Sequence, residues 1–119
     1  MEEISNREQF DKALEEDYVM IDCTASWCGP CKRIKPKIEE LSKNEKYNDI
    51  SFYIYDIDND DELSQEYVTV VPTFLFFKDG ELVKKLEGAD YNNIVKQLDN
   101  LIIQSESDSN SDSDTDSDN

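Results

Sequence analysis

Histidine is absent from the 119 residues, and only three are cysteine. The first absence removes the imidazole that Ser-His-Asp and Cys-His catalysis require. It also takes away the usual companions of cysteine in zinc sites. Three cysteines are too few, and odd in number, for a disulfide framework. Positive charge is scarce too: 12 Lys and Arg stand against 29 Asp and Glu, for a net charge of −17. Such a surface repels phosphate backbones and anionic lipid, which argues against a nucleic-acid-binding or membrane-surface protein. No apolar run is long enough to span a bilayer. The opening, MEEISNREQF, lacks the basic start and apolar middle of a secretory signal. A cytoplasmic, reducing setting is expected, with one domain and a modest core.

What is present divides at residue 104. Residues 105–119 read SESDSNSDSDTDSDN, with six Ser, five Asp and nothing to bury. They are expected to form a disordered acidic tail behind a domain of residues 1–104. The tail holds six of the acids, which leaves −11 on the domain. Within the domain, Ser5 and Glu8 form a capping box ahead of a helical face of Phe10, Ala13 and Leu14. Residues 18–23 (YVMIDC) read as a mostly buried strand. A helix follows with Ile34, Ile38 and Leu41 on one face and Pro36 inside it, which should kink it. Residues 50–58 read as a second strand, and Asn59 and Glu62 suit the start of a short helix. Residues 73–78 and 81–87 form a hairpin around Asp79-Gly80. Asp90 can cap a last helix that turns Ile94, Leu98, Leu101 and Ile102 inward. Residues 2–4 add an edge strand in front. Strand–helix–strand units imply parallel pairing and the hairpin implies an antiparallel end, so the fold class is α/β: a mixed central sheet with helices on both faces.

Two of the three cysteines lie in SWCGPC, residues 26–31. Cys28 follows a strand and precedes a helix, where unpaired N–H groups and the helix dipole favour an anion. A thiolate there is stabilised, its pKa falls, and the thiolate is the nucleophile. Pro30 fits the first turn, where its missing N–H costs little. Cys31 lies one turn on, close enough to bond Cys28, and Lys32 and Lys35 add nearby positive charge. The pair can therefore work as an attacking and a resolving sulfur. Other uses compete less well. Zinc needs four ligands and only Cys23 could join, haem attachment needs His where Lys32 stands, and a purely structural disulfide does not suit a reducing compartment. An iron–sulfur site shared by two subunits is the remaining alternative.

The runs VMIDCTASWCGPCKRIKP, VVPTFLFFKDG and EGAD resemble the thioredoxin family, over residues 4–103. The resemblance implies the thioredoxin fold, in the order β1α1β2α2β3α3β4β5α4. It implies a thiol–disulfide oxidoreductase, a protein-disulfide reductase, working through a reversible Cys28–Cys31 couple. Cys28 would be the exposed nucleophile and Cys31 the buried resolving thiol. Asp22 would be a buried carboxylate whose raised pKa lets it take the Cys31 proton through a water. Val71-Pro72-Thr73 matches the family's cis-proline loop, whose Val71 backbone could pair with an extended substrate. Trp27, Gly29, Pro30, Gly88 and Ala89 would surround the sulfur as a flat, weakly specific surface. No bound cofactor is implied; reducing equivalents would come from NADPH through a flavin-dependent thioredoxin reductase. Disulfide-containing proteins are the implied substrates, and a monomer is expected.

The chain departs from the family at several places. Cys23 stands where a large apolar residue is usual, and strand alternation points it away from Asp22 as a small core residue. Ile54 takes a position where many bacterial members carry a lysine near the buried Asp, which should leave Asp22 harder still to ionise. Pro30, instead of His, weighs against an oxidase or isomerase like protein disulfide isomerase. A non-enzymatic module that only binds a partner is the other rival. The tail is not a thioredoxin feature. Ser109, Ser111, Ser113 and Thr115 each have an acid three residues on, as acid-directed kinases prefer. Mass spectrometry of protein from its natural host should find phosphate on these residues; a clean tail would refute the idea.

Overall fold

A computed structural model describes residues 1–59 and 61–106. Five strands and four helices alternate along it. They are β1 (Glu2–Ile4), α1 (Arg7–Ala13), β2 (Tyr18–Thr24), α2 (Gly29–Lys43), β3 (Ser51–Asp56), α3 (Asp61–Tyr67), β4 (Thr73–Lys78), β5 (Glu81–Glu87) and α4 (Tyr91–Glu106). The sheet order is β1-β3-β2-β4-β5. β3 pairs in parallel with β1 and β2, while β4 runs antiparallel to both β2 and β5. This is the expected mixed sheet, including the hairpin at Asp79-Gly80, where both residues take positive φ.

Two apolar layers hold the sheet. On one face Met20, Phe52, Phe74 and Phe76 meet Ile34, Ile38 and Leu41 of α2 and Ile94, Leu98 and Leu101 of α4. On the other, Ile4, Val19, Ile21, Cys23, Tyr55, Leu75 and Phe77 meet Phe10 and Ala13 of α1 and Leu63 of α3. β4 is apolar on both sides because it is central, and its alternate residues feed both layers. β5 is the opposite case. It is an edge strand with mostly exposed residues, and its Lys84 and Lys85 discourage further strand pairing.

The helix ends follow local chemistry, with one shift from expectation. α1 is capped by Asn6 and not by Ser5. The Gln9 N–H donates to Asn6 Oδ1 (2.9 Å), and the Ser5 N–H donates to Gln9 Oε1 (2.6 Å). Asn6–Gln9 offers the same spacing as Ser5–Glu8 one residue later, and Asn is as good a cap as Ser. α4 is capped by Asp90 as expected, with Asn93 N–H on Oδ1 at 3.2 Å. It runs on to Glu106, two residues past the compositional break. α2 passes through Pro36 as one helix of 15 residues. After it comes a single 3-10 turn, Glu45–Tyr47, which the apolar periodicity does not reveal. Tyr47 is buried there and its hydroxyl donates to Asp99 Oδ1 (2.7 Å), fastening the turn to α4. The four suggested phosphorylation positions lie outside the described residues.

Ile38 is fully buried where α2 meets the sheet. Ile38→Ala should cost about 2–5 kcal/mol by lost burial and the cavity left behind. Urea titration of the oxidised chain checks this, and a loss under ~1 kcal/mol would show that α2 is not clamped there.

Candidate active site

β2 ends at Thr24, and after four residues the chain turns into α2 at Gly29. The turn is closed by Cys28 N–H donating to Ala25 O (3.2 Å). Cys28 is the N-cap of α2, with extended backbone (φ −96°, ψ 111°), and its Sγ accepts the Cys31 N–H at 3.2 Å. Pro30 occupies the first helical turn and withdraws no needed donor. Cys28 and Cys31 are joined as a disulfide, with Cα atoms 5.3 Å apart, inside the usual range for such bonds.

Both sulfurs are covered. Cys28, expected to be exposed, is only 5% so, little more than Cys31. The cause is the cap itself. Folding Sγ back onto the helix end brings Cys28 and Cys31 against Ala25, with Ile57 and Val71 packed over them. Ile57 is held there by its N–H donating to Thr24 O (3.0 Å).

The loop across from the disulfide contains a cis Val71–Pro72 bond. Pro72 O accepts the Gly88 N–H at 2.8 Å, and buried Thr73 donates its hydroxyl to Val70 O at 2.6 Å. Gly88 takes φ +99°, a conformation that suits only glycine here although a Cβ would meet no crowding. Trp27 is 65% exposed, and its Nε1–H donates to Asp58 Oδ2 (3.2 Å). Asp58 went unnoticed in the sequence. The available signal was its place just beyond β3, since residues past the carboxyl ends of parallel strands gather on one rim.

Asp22 shares its side of β2 with Met20, the side that α2 covers. It is 2% exposed, and its Oδ1 has no hydrogen-bond partner. Burial raises its pKa from 3.8 to about 7, against an opposing pull from Lys35. Lys35 lies one helical turn beyond Cys31. Ile54 is the β3 partner of Asp22 in register, beside it as the family resemblance implied. The missing cation is thus partly replaced from α2, a compensation the sequence reading did not foresee. Cys23 points to the opposite layer, free and buried, with its thiol pushed far up by burial and then by Asp22. Among the described residues, no three His, Cys, Asp or Glu side chains are grouped to hold a metal ion.

Two joined sulfurs, one resting on a helix end, can take up and release two electrons with no cofactor in the site. That is the chemistry of a thiol–disulfide oxidoreductase. Comparisons agree. The profile of the family described as Thioredoxin matches residues 2–100. A thioredoxin of Aspergillus fumigatus is 40% identical over 93 residues, covering 76% of this chain and 84% of the relative. That of Ovis aries is 37% identical over 106 residues, covering 86% and 99%. The solved thioredoxin of Plasmodium falciparum superposes with a TM-score of 0.78 at 33% identity, over 84% of this chain and 98% of that one. The chain belongs to the thioredoxin family and is a protein-disulfide reductase with its fold.

Asp22 gives stability a pH dependence. Below about pH 4 the carboxyl is protonated in both folded and unfolded chains, so nothing is lost. Between 4 and about 7 the unfolded chain ionises it and the folded chain does not, so stability falls, by roughly 4 kcal/mol in all. Above about 7 the loss is complete and constant. Asp22→Asn should therefore gain on the natural chain from pH 4 to 7 and then level off, read from denaturant melts of both oxidised proteins. A stability difference that does not change with pH would mean that Asp22 ionises freely in the fold.

Proposed function

We propose that Cys28 is the attacking sulfur, Cys31 the resolving one and Asp22 the base that frees it. The observation that carries this is the Cys31 N–H directed at Cys28 Sγ from the start of α2. In the reduced chain the same donor and helix dipole favour a Cys28 thiolate. That thiolate attacks one sulfur of a client disulfide. The client bond breaks, a mixed disulfide forms, and the departing client sulfur takes a proton. Asp22, ionised at about neutral pH, accepts the Cys31 proton through a water. The Cys31 thiolate then attacks Cys28, closing the Cys28–Cys31 bond and releasing the second client sulfur, which takes up a proton as Asp22 gives its own back to solvent. The client gains two electrons and two protons, and the couple is left oxidised.

The covered sulfur restricts how a client can approach. Val71 packs against the disulfide, and its backbone is the support for an extended client segment, with Trp27, Gly29, Pro30, Pro72, Gly88 and Ala89 around it. A thioredoxin reductase, drawing on NADPH through a flavin, restores the dithiol. The chain works in the cytoplasm as a monomer, and residues 105–119 act as an acidic extension of the domain. No helix among the described residues is long and apolar enough to cross a membrane.

Insulin reduction tests the assignment. Cys28→Ser should abolish turnover and Cys31→Ser should accumulate mixed disulfides. Asp22→Ala should slow resolution about 10²-fold near neutral pH, with the loss shrinking as alkali ionises Cys31 without help. Full activity of Cys28→Ser would overturn the roles of both sulfurs.

A further inference from the structure

The chain has 12 cations, and four of them, Lys32, Arg33, Lys35 and Lys37, fall within six residues of α2. All four are exposed. None takes part in the ion pairs of the described residues, which use Arg7 and Lys46. Two of them, Arg33 and Lys37, line a cleft of about 300 Å³ with Pro30, Ile34, Ala89 and Tyr91. The cleft adjoins the disulfide on two sides. Pro30 lies between the cysteines, and Ala89 follows the glycine whose N–H holds the Pro72 carbonyl.

Lys37 has an aromatic contact, and Arg33 is turned toward the start of α2. The Arg33 guanidinium folds back over the first turn of α2, so that a Cβ on Gly29 would lie 3.3 Å from Nη1. The Lys37 ammonium sits over the Tyr91 ring, 5.2 Å from its centre. Acids lie near the cleft as well: Asp90, whose Oδ1 accepts the Asn93 N–H (3.2 Å), Glu87, whose Oε2 accepts the Thr69 hydroxyl (3.2 Å), and Glu40, one turn beyond Lys37. None of them forms an ion pair with Arg33 or Lys37 among the described residues. Two cations free of ion pairs beside a redox disulfide stand out in a chain of net charge −17.

We propose that this cleft binds a carboxylate side chain flanking the reducible disulfide of a protein client, making Arg33 and Lys37 specificity-determining residues for clients with acidic flanks. The proposal rests on the reading above that clients lie along the Cys28 and Val71 surface. Arg33 presents a planar fork that can grip a carboxylate with two hydrogen bonds, and Lys37 adds a point charge. Elsewhere the molecule repels an acidic segment, but at physiological ionic strength charges more than about 8 Å away are largely screened. Binding is then set chiefly by the two cations of the cleft against the few acids beside it, Asp90 foremost.

The test uses two synthetic disulfide peptides that differ only in Asp and Glu against Asn and Gln beside the cystine. The fully reduced chain is mixed with each, and the second-order rate of thiol release is followed at ~0.15 M salt. The acidic peptide should react about 3- to 10-fold faster, as expected for two partly exposed charge contacts. The preference should fall toward unity at ~1 M salt, where the screening length is about 3 Å. The double variant Arg33→Gln, Lys37→Gln should bring the ratio near one. Equal rates for the two peptides with the natural chain, or an undiminished ratio in the variant or at high salt, would overturn the proposal. Reduction of neither peptide by the natural chain would instead strike the exchange chemistry itself, and the flank preference with it.

Discussion

One backbone N–H directed at one sulfur sets the conditions for everything else in this molecule. Cys31 can donate to Cys28 Sγ only while Cys28 remains outside the helix and Cys31 inside its first turn. That arrangement depends on where α2 begins, and α2 is located by Ile34, Ile38 and Leu41 against the phenylalanines of the sheet. The apolar core therefore positions the chemistry. Its contribution is rigidity of placement, delivered through side chains that never touch a client.

The same helix supplies the electrostatics. Asp22 sits under α2 with an unpartnered oxygen, in surroundings that resist its ionisation. Lys35 moderates that resistance from one turn beyond Cys31. The two sulfurs, the cation felt by Asp22 and the two cations of the cleft all belong to a stretch of ten residues, Cys28 to Lys37. An acidic protein has gathered its positive charge where negative charge must form or be received. β5, at one edge of the sheet, is mostly exposed, yet it leads to Gly88, whose N–H holds the Pro72 carbonyl.

Much of this was legible in the sequence. Strand and helix order followed from period and from the Asp79-Gly80 turn. Asp22 was readable as buried because it interrupts an otherwise apolar strand. Features set by a single competing atom were less legible. Asn6 displaced Ser5 as a cap because both begin an acceptable spacing, and only packing of Phe10 and Ala13 decides between them. The 3-10 turn at Glu45–Tyr47 is too short to impose a period. The exposure of Cys28 was an expectation from the family resemblance, which carries nothing of how Val71 and Ile57, from distant parts of this chain, pack on the sulfurs. The contact of Asp58 with Trp27 is a product of β2–β3 adjacency, and the reach of Lys35 to Asp22 of α2 lying over β2.

The coverage of Cys28 shifts the burden of movement onto the other molecule. With α2 fixed and both sulfurs tucked beneath neighbouring side chains, this protein cannot extend an arm toward a bond locked inside a folded neighbour. The neighbour must offer a cystine on a strand loose enough to be laid out flat. On the route proposed above, polypeptides whose cystine lies on a pliable segment would be the better recipients of its electrons.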